Sequence, residues 1–125
     1  MKLETYFDHD SDDQIIQKRS ENELTLWVNH VSYIIEESDR LAKIASNLLK
    51  ESVLRDRFLI MIERAIVVSK VLSNYKKAMP NYKECDHLEC DLYYINEHEK
   101  VRQEYLKIIK DNRELKEEFY TQLLK

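Results

Sequence analysis

Four titratable side chains of the types that bind metals lie close together in the second half of the chain. Glu84, His87, Asp91 and His98 fall on one heptad-related row, which places them on one face of a helix. The Glu84-x-x-His87 motif aims a carboxylate and an imidazole at the same point, an arrangement that metal sites in helical bundles use. This face therefore has the chemistry of a metal site.

Two other predicted helices supply residues of the same types. A His/carboxylate site would use a subset of seven residues: His87, His98, Glu84, Asp91, His30, Glu37 and Glu63. In its single Glu-x-x-His motif the chain resembles ferritin-type and hemerythrin-type bundles, and this resemblance implies a di-iron-like transition-metal site. The chain departs from both families, because it has no second Glu-x-x-His and only four histidines.

A second interpretation needs no metal. Glu84, His87 and Asp91 would form a solvated face near a helix N-terminus, where acidic residues are favoured. His98 would be a core or interface histidine that is hydrogen-bonded to a neighbouring tyrosine or carboxylate. We favour this interpretation, and we predict no cofactor and no catalytic residues.

The composition excludes several classes of protein. The 125 residues contain no glycine and one proline, which excludes glycine-rich phosphate loops and dinucleotide fingerprints. Twenty Lys and Arg are interleaved with 24 Asp and Glu, a pattern that does not predict nucleic-acid binding. No apolar run reaches the ~18 residues of a membrane span. With two cysteines and no visible secretory signal, we expect a cytoplasmic protein without a disulfide framework.

Turn-forming residues are nearly absent, so the whole chain is predicted to be helical. Residues 1–19 are predicted to be an acidic N-terminal arm that includes at most a short helix near 12–18, and residues 20–125 a single domain. The first long helix covers about 21–50. After it the apolar stripe restarts at Leu54, rotated by roughly 150° at ~100° per residue. This rotation predicts a tight turn near Glu51 and Ser52.

The second predicted helix, about residues 53–79, is apolar over most of its surface. Its polar column is narrow and runs from acids to bases: Asp56, Glu63, Lys70 and Lys77. A helix this apolar must be covered on two sides, and a second chain is expected to complete that cover. Pro80 is predicted to end the helix.

The third predicted helix, about residues 81–124, would exceed the first by ~20 Å at ~1.5 Å per residue. Its distal half carries an apolar seam with coiled-coil spacing, interrupted by Asn112. An uncovered seam in water is unfavourable, so either the N-terminal segment or a second subunit must cover it. We predict a homodimer with an interface at Val101, Tyr105, Ile108, Leu115 and Phe119.

Together these patterns predict an all-α protein, an up-down-up bundle of three long antiparallel helices completed as a dimer. Its function is predicted to be non-enzymatic: an oligomerisation, adaptor or regulatory-binding module whose working surface is a helix face. A helical protein partner would suit such a surface. Two alternatives stay open, a metal-binding bundle and a small-ligand site near Trp27, Tyr33, Tyr94 and His98.

Overall fold

A computed structural model describes the backbone of residues 12–83 and 88–125. Within these ranges it describes all side chains except those of residues 12–14, 16–17, 80–83, 88–91 and 94. The described chain forms three helices: α1 (Asp12–Asn47), α2 (Ser52–Lys83) and α3 (Leu88–Leu123). No strand occurs in these two ranges, and the predicted all-α class is confirmed for them.

Helix α1 begins earlier than the sequence pattern predicts. It starts at Asp12 and continues without interruption through Ser20, the position at which the first long helix was expected to begin. Ser20 is buried, as is Leu24 one turn later, so the packed face of α1 extends to this point. No glycine or proline lies between them to end a helix. The part of the predicted acidic arm before residue 12 lies outside the described residues.

The turn predicted without a punctuating residue is confirmed. Helix α1 ends at Asn47 and α2 begins at Ser52. The amides of Leu49 and Glu51 donate to the carbonyls of Ile44 and Ala45 at 3.1 and 2.9 Å, which satisfies two of the last carbonyls of α1. Lys50 adopts φ 57°, the left-handed conformation that glycine occupies at least cost, in a chain that contains no glycine.

The second turn lies further along the chain than predicted. Pro80 does not end α2, which continues to Lys83. Proline in the last turn of a helix removes one amide hydrogen bond without interrupting a long continuation. Residues 84–87 follow, outside the described residues. Helices α1 and α3 each contain 36 residues, so the ~20 Å excess predicted for the third helix at ~1.5 Å per residue is wrong.

One apolar core joins the three helices. Its buried members include Leu24, Val31 and Ile34 from α1, Phe58, Ala65 and Leu72 from α2, and Val101, Ile108, Leu115 and Phe119 from α3. Tyr105 is half-buried and packs against the same core. The α3 seam predicted as a dimer interface is therefore covered by this chain's own helices, and the reason for placing an interface there no longer holds.

Contacts between α2 and α3 join opposite ends of the two helices. Phe58, early in α2, meets Phe119, late in α3, edge to face with ring centroids 5.6 Å apart. Tyr75, late in α2, contacts His98, early in α3. Contacts between α1 and α3 follow the chain direction instead: Glu23 binds Arg102, and Glu37 binds Lys116.

The described helices were also compared with the requirements of a lipid bilayer. None of them combines the length and the apolar character that crossing a membrane needs.

Candidate functional site

His98 lies in a buried cluster at the point where all three helices meet. It is 7% exposed, and its Nδ1 is hydrogen-bonded to the Tyr75 hydroxyl at 3.0 Å. Its ring lies 5.2 Å from that of Trp27, centroid to centroid, and its Nε2 lies 3.7 Å from a carboxylate oxygen of Glu23. The favoured interpretation, a core histidine bonded to a tyrosine and beside a carboxylate, describes this environment.

The charges around His98 act in opposite directions on its protonation. Burial is the largest effect and lowers the pKa of His98 below its ordinary value, because a buried cation is costly. Glu23 opposes this shift, while Arg102 adds to it. The guanidinium of Arg102 donates to Glu23 at 2.9 Å and lies 5.9 Å from the Trp27 ring. The carboxylate nearest His98 is thus already neutralised by an arginine.

His30 belongs to the same aromatic layer. Its Nδ1 is hydrogen-bonded to the Tyr105 hydroxyl at 2.8 Å, and the two rings meet edge to face at 5.8 Å. Tyr105 also stacks on Trp27 at 5.2 Å, and burial raises the pKa of its hydroxyl. The sequence reasoning named Trp27 and His98 as candidates for a ligand site but missed Glu23, Arg102 and Tyr75, which only the packing brings together.

The structure separates the other described members of the predicted ligand set. Glu37 is bound by Lys116 at 2.9 Å, and Glu63 is exposed on α2. Among the described residues, no group of three His, Cys, Asp or Glu side chains is placed to hold a metal. Glu84 and His87 lie outside the described residues, as does the side chain of Asp91. A site built on these three therefore stays a prediction.

The small-ligand hypothesis named four residues around the same layer. Trp27 and His98 are in contact within it, whereas Tyr33 is half-exposed on α1. The side chain of Tyr94 lies outside the described residues. The contact of Trp27 with His98 fills the space between the helices rather than leaving a site there.

A groove of about 320 Å³ lies between α2 and α3 at the other end of the helices. It is lined by Arg57, Ile60, Met61, Arg64, Asp111, Glu114 and Leu115. Both arginines already have partners on α3, since Arg57 binds Glu118 and Arg64 binds Asp111 at 2.5 Å. The charged wall of the groove is therefore an inter-helix lock, and Ile60 is its apolar edge toward solvent.

Ile60 belongs to an extended apolar surface that we call the α2 outer face. This face consists of two rows of exposed apolar side chains, Val53, Ile60 and Val67 in one row and Leu59 and Ile66 in the other. Members of each row are seven residues apart and so lie nearly above one another on the helix. Val53, Ile60 and Val67 are 69%, 55% and 60% exposed, on a helix whose opposite face is fully buried.

The predicted polar column of α2 runs between these two rows. Asp56, Glu63, Lys70 and Lys77 are all exposed. Asp56 is bound by the adjacent Arg55 at 2.9 Å, but none of the ion pairs among the described residues involves Glu63, Lys70 or Lys77. The outer face therefore combines two apolar rows with a central column in which the charges are ordered from acidic to basic.

Comparisons with protein-family models, with curated proteins and with solved structures find no match to this chain. The functional argument therefore rests on the residues and their geometry.

Proposed function

We propose that this protein is a non-enzymatic binding module and that the α2 outer face is its binding surface. The observation that carries the proposal is the pair of apolar rows on α2, with Ile60 and Val67 more than half exposed. Large contiguous apolar surfaces on soluble domains mark interaction sites, whereas single exposed apolar residues need no explanation. The rows repeat at the spacing with which one helix packs on another.

An up-down-up arrangement of the bundle supports this assignment. The opposed ends of α2 and α3 that meet at Phe58 and Phe119 favour antiparallel packing of those helices, and the short turn at Lys50 favours it for α1 and α2. In such a bundle α2 lies between its neighbours in sequence and has its outer face turned away from both. The face is then open along most of its length.

The surface is suited to an amphipathic helix whose charges run opposite to those of α2. Its two apolar rows would receive the apolar residues of that helix, and the column from Asp56 to Lys77 would face a column ordered from basic to acidic. Arranged charges of this kind fix the orientation and register of a partner more than they add affinity. The pairing would be a short antiparallel coiled coil.

The polar cluster around His98 supports a structural role better than a catalytic one. His30 and His98 are each hydrogen-bonded to a tyrosine hydroxyl, and Glu23 is bound by Arg102. A general base needs access to a substrate proton, and here these groups hold helices together. We place the module in the cytoplasm on its cysteine usage, and cell fractionation tests that setting.

Site-specific photo-crosslinking tests the binding surface in cells that make the protein. A benzophenone amino acid replaces Ile60 or Val67 in turn, and Leu106 on α3, which is 47% exposed, serves as a matched apolar control. We expect cross-linked products from positions 60 and 67, joined to apolar residues of a helix in the partner, and none from position 106. The absence of products from both α2 positions, or equal products from position 106, would contradict the proposal.

A further inference from the structure

We infer that the helix that docks on the α2 outer face is α2 of a second copy of this chain, in antiparallel orientation. This inference rests on the proposed function and names its partner. The order of charges along the polar column carries it, together with the placement of the apolar rows on either side.

The column is complementary to itself when it is reversed. If two copies of α2 pair antiparallel about the midpoint between Glu63 and Lys70, each Glu63 lies opposite Lys70 of the other copy. Asp56 then lies opposite Lys77, so twofold symmetry produces four acid–base pairs. A parallel pairing would place acid on acid and base on base, which costs binding energy.

The same symmetry matches the apolar rows. A twofold axis that reverses the helix keeps each row on its own side, so that a row meets its own counterpart, as in any isologous interface. Val67 then lies near Val67 of the second copy, and Ile66 near Ile66, on opposite sides of the central charges. The apolar rows would thus enclose the ion pairs and restrict their contact with water.

The distribution of ion pairs within one chain agrees with this assignment. On the sides of α2, Arg57 and Arg64 are bound by acids of α3. On the outer face Glu63, Lys70 and Lys77 take part in none of the ion pairs among the described residues. The charges that the inference pairs between copies are therefore those that the single chain leaves available.

Charge-reversal variants test the inference by sedimentation velocity from about 1 to 200 µM. We expect the wild-type chain to dimerise, and Glu63→Lys and Lys70→Glu each to weaken dimerisation at least about tenfold, because each change creates two like-charge contacts across the dyad. An equimolar mixture of the two variants should form a heterodimer, since the two lysines at positions 63 and 70 of one chain then face two glutamates of the other. The double variant should dimerise like the wild type.

Helix α1 offers a matched control. Glu36 and Lys43 are also seven residues apart, acid before base, and both are exposed, so Glu36→Lys and Lys43→Glu make the same changes in net charge elsewhere. These variants should dimerise like the wild type. Circular dichroism checks that every variant keeps its helical content.

The outcomes separate this inference from the proposed function. A wild-type chain that stays monomeric at 200 µM, or a mixture that fails to associate better than its components, overturns the second copy as the partner. The α2 outer face would still stand as a binding surface if the crosslinks from positions 60 and 67 reach a different polypeptide. Without any such crosslinks the proposed function fails as well.

Discussion

At the scale of single residues, His98 illustrates how packing determines the role of a titratable side chain. The heptad row that predicts metal-ligand chemistry places His98 beside Glu84, His87 and Asp91. The fold instead surrounds its ring with Tyr75, Trp27 and the Glu23–Arg102 pair. The sequence predicts the buried histidine and its kind of partner, but the partners come from α1 and α2, more than 20 residues away in the chain.

The lowered pKa of His98 makes stability depend on pH. The unfolded chain takes up a proton near the ordinary histidine pKa, while the folded chain resists it until a lower pH. The unfolded state therefore binds more protons as the pH falls below about 6.5, and the free energy of unfolding decreases. We expect chemical denaturation to show lower stability at pH 5.5 than at pH 7.5, and His98→Gln to reduce that difference.

The control for this effect is the second histidine of the aromatic layer. His30→Gln removes a comparable side chain and its bond to Tyr105 without touching His98. A pH dependence that His98→Gln leaves unchanged, or that His30→Gln abolishes equally, would contradict the assignment to His98.

At the scale of elements, the phase of the apolar pattern predicts where the first turn lies, but proline misleads about the second. The stripe changes direction between Leu49 and Leu54, and the chain turns there. Pro80 is compatible with the last turn of a helix as well as with its end, so the sequence does not decide between them. Placing the end of the helix too early lengthens the predicted third helix and creates a projecting seam that the structure does not have.

The α3 seam tests this revised account of the third helix. Ile108 and Phe119 are each 1% exposed within a single chain, so Ile108→Ala and Phe119→Ala should each lower the free energy of unfolding by about 3 kcal/mol. The loss should not depend on protein concentration, because it is a loss of core packing. Urea denaturation at two concentrations measures both quantities.

An exposed residue of the same helix provides the comparison. Leu106→Ala should change stability by less than about 0.5 kcal/mol, as surface substitutions usually do. A small effect of Ile108→Ala or Phe119→Ala at low concentration, growing as the concentration rises, would return the seam to the role of a subunit interface.

The outer face of α2 was predictable only in part. Its polar column can be read from the sequence, and the apolar character of the helix predicts an extra neighbour. Which apolar positions stay exposed depends on where α1 and α3 pack around α2. For this reason Ile60 and Val67 could not be separated from Phe58 and Leu72 before the fold was known.

At the scale of the whole molecule, the account describes a three-helix bundle whose middle helix is stabilised on one face by its own chain and completed on the other by a second copy. The first half of that statement follows from the buried core. The second half follows from the exposed rows and the order of charges on α2, and it specifies the orientation of two molecules.

The distance between spin labels in the dimer tests that orientation most directly. A label is attached at Lys77→Cys, with Cys85 and Cys90 replaced by serine, and measured by pulsed electron paramagnetic resonance. Residue 77 lies about 10.5 residues from the proposed twofold axis, so antiparallel pairing separates the two labelled positions by about 30 Å along the helices, at ~1.5 Å per residue. A dimer with labels at about 30 Å or more agrees with the account, and a distance well below 20 Å, as in parallel pairing, would contradict it.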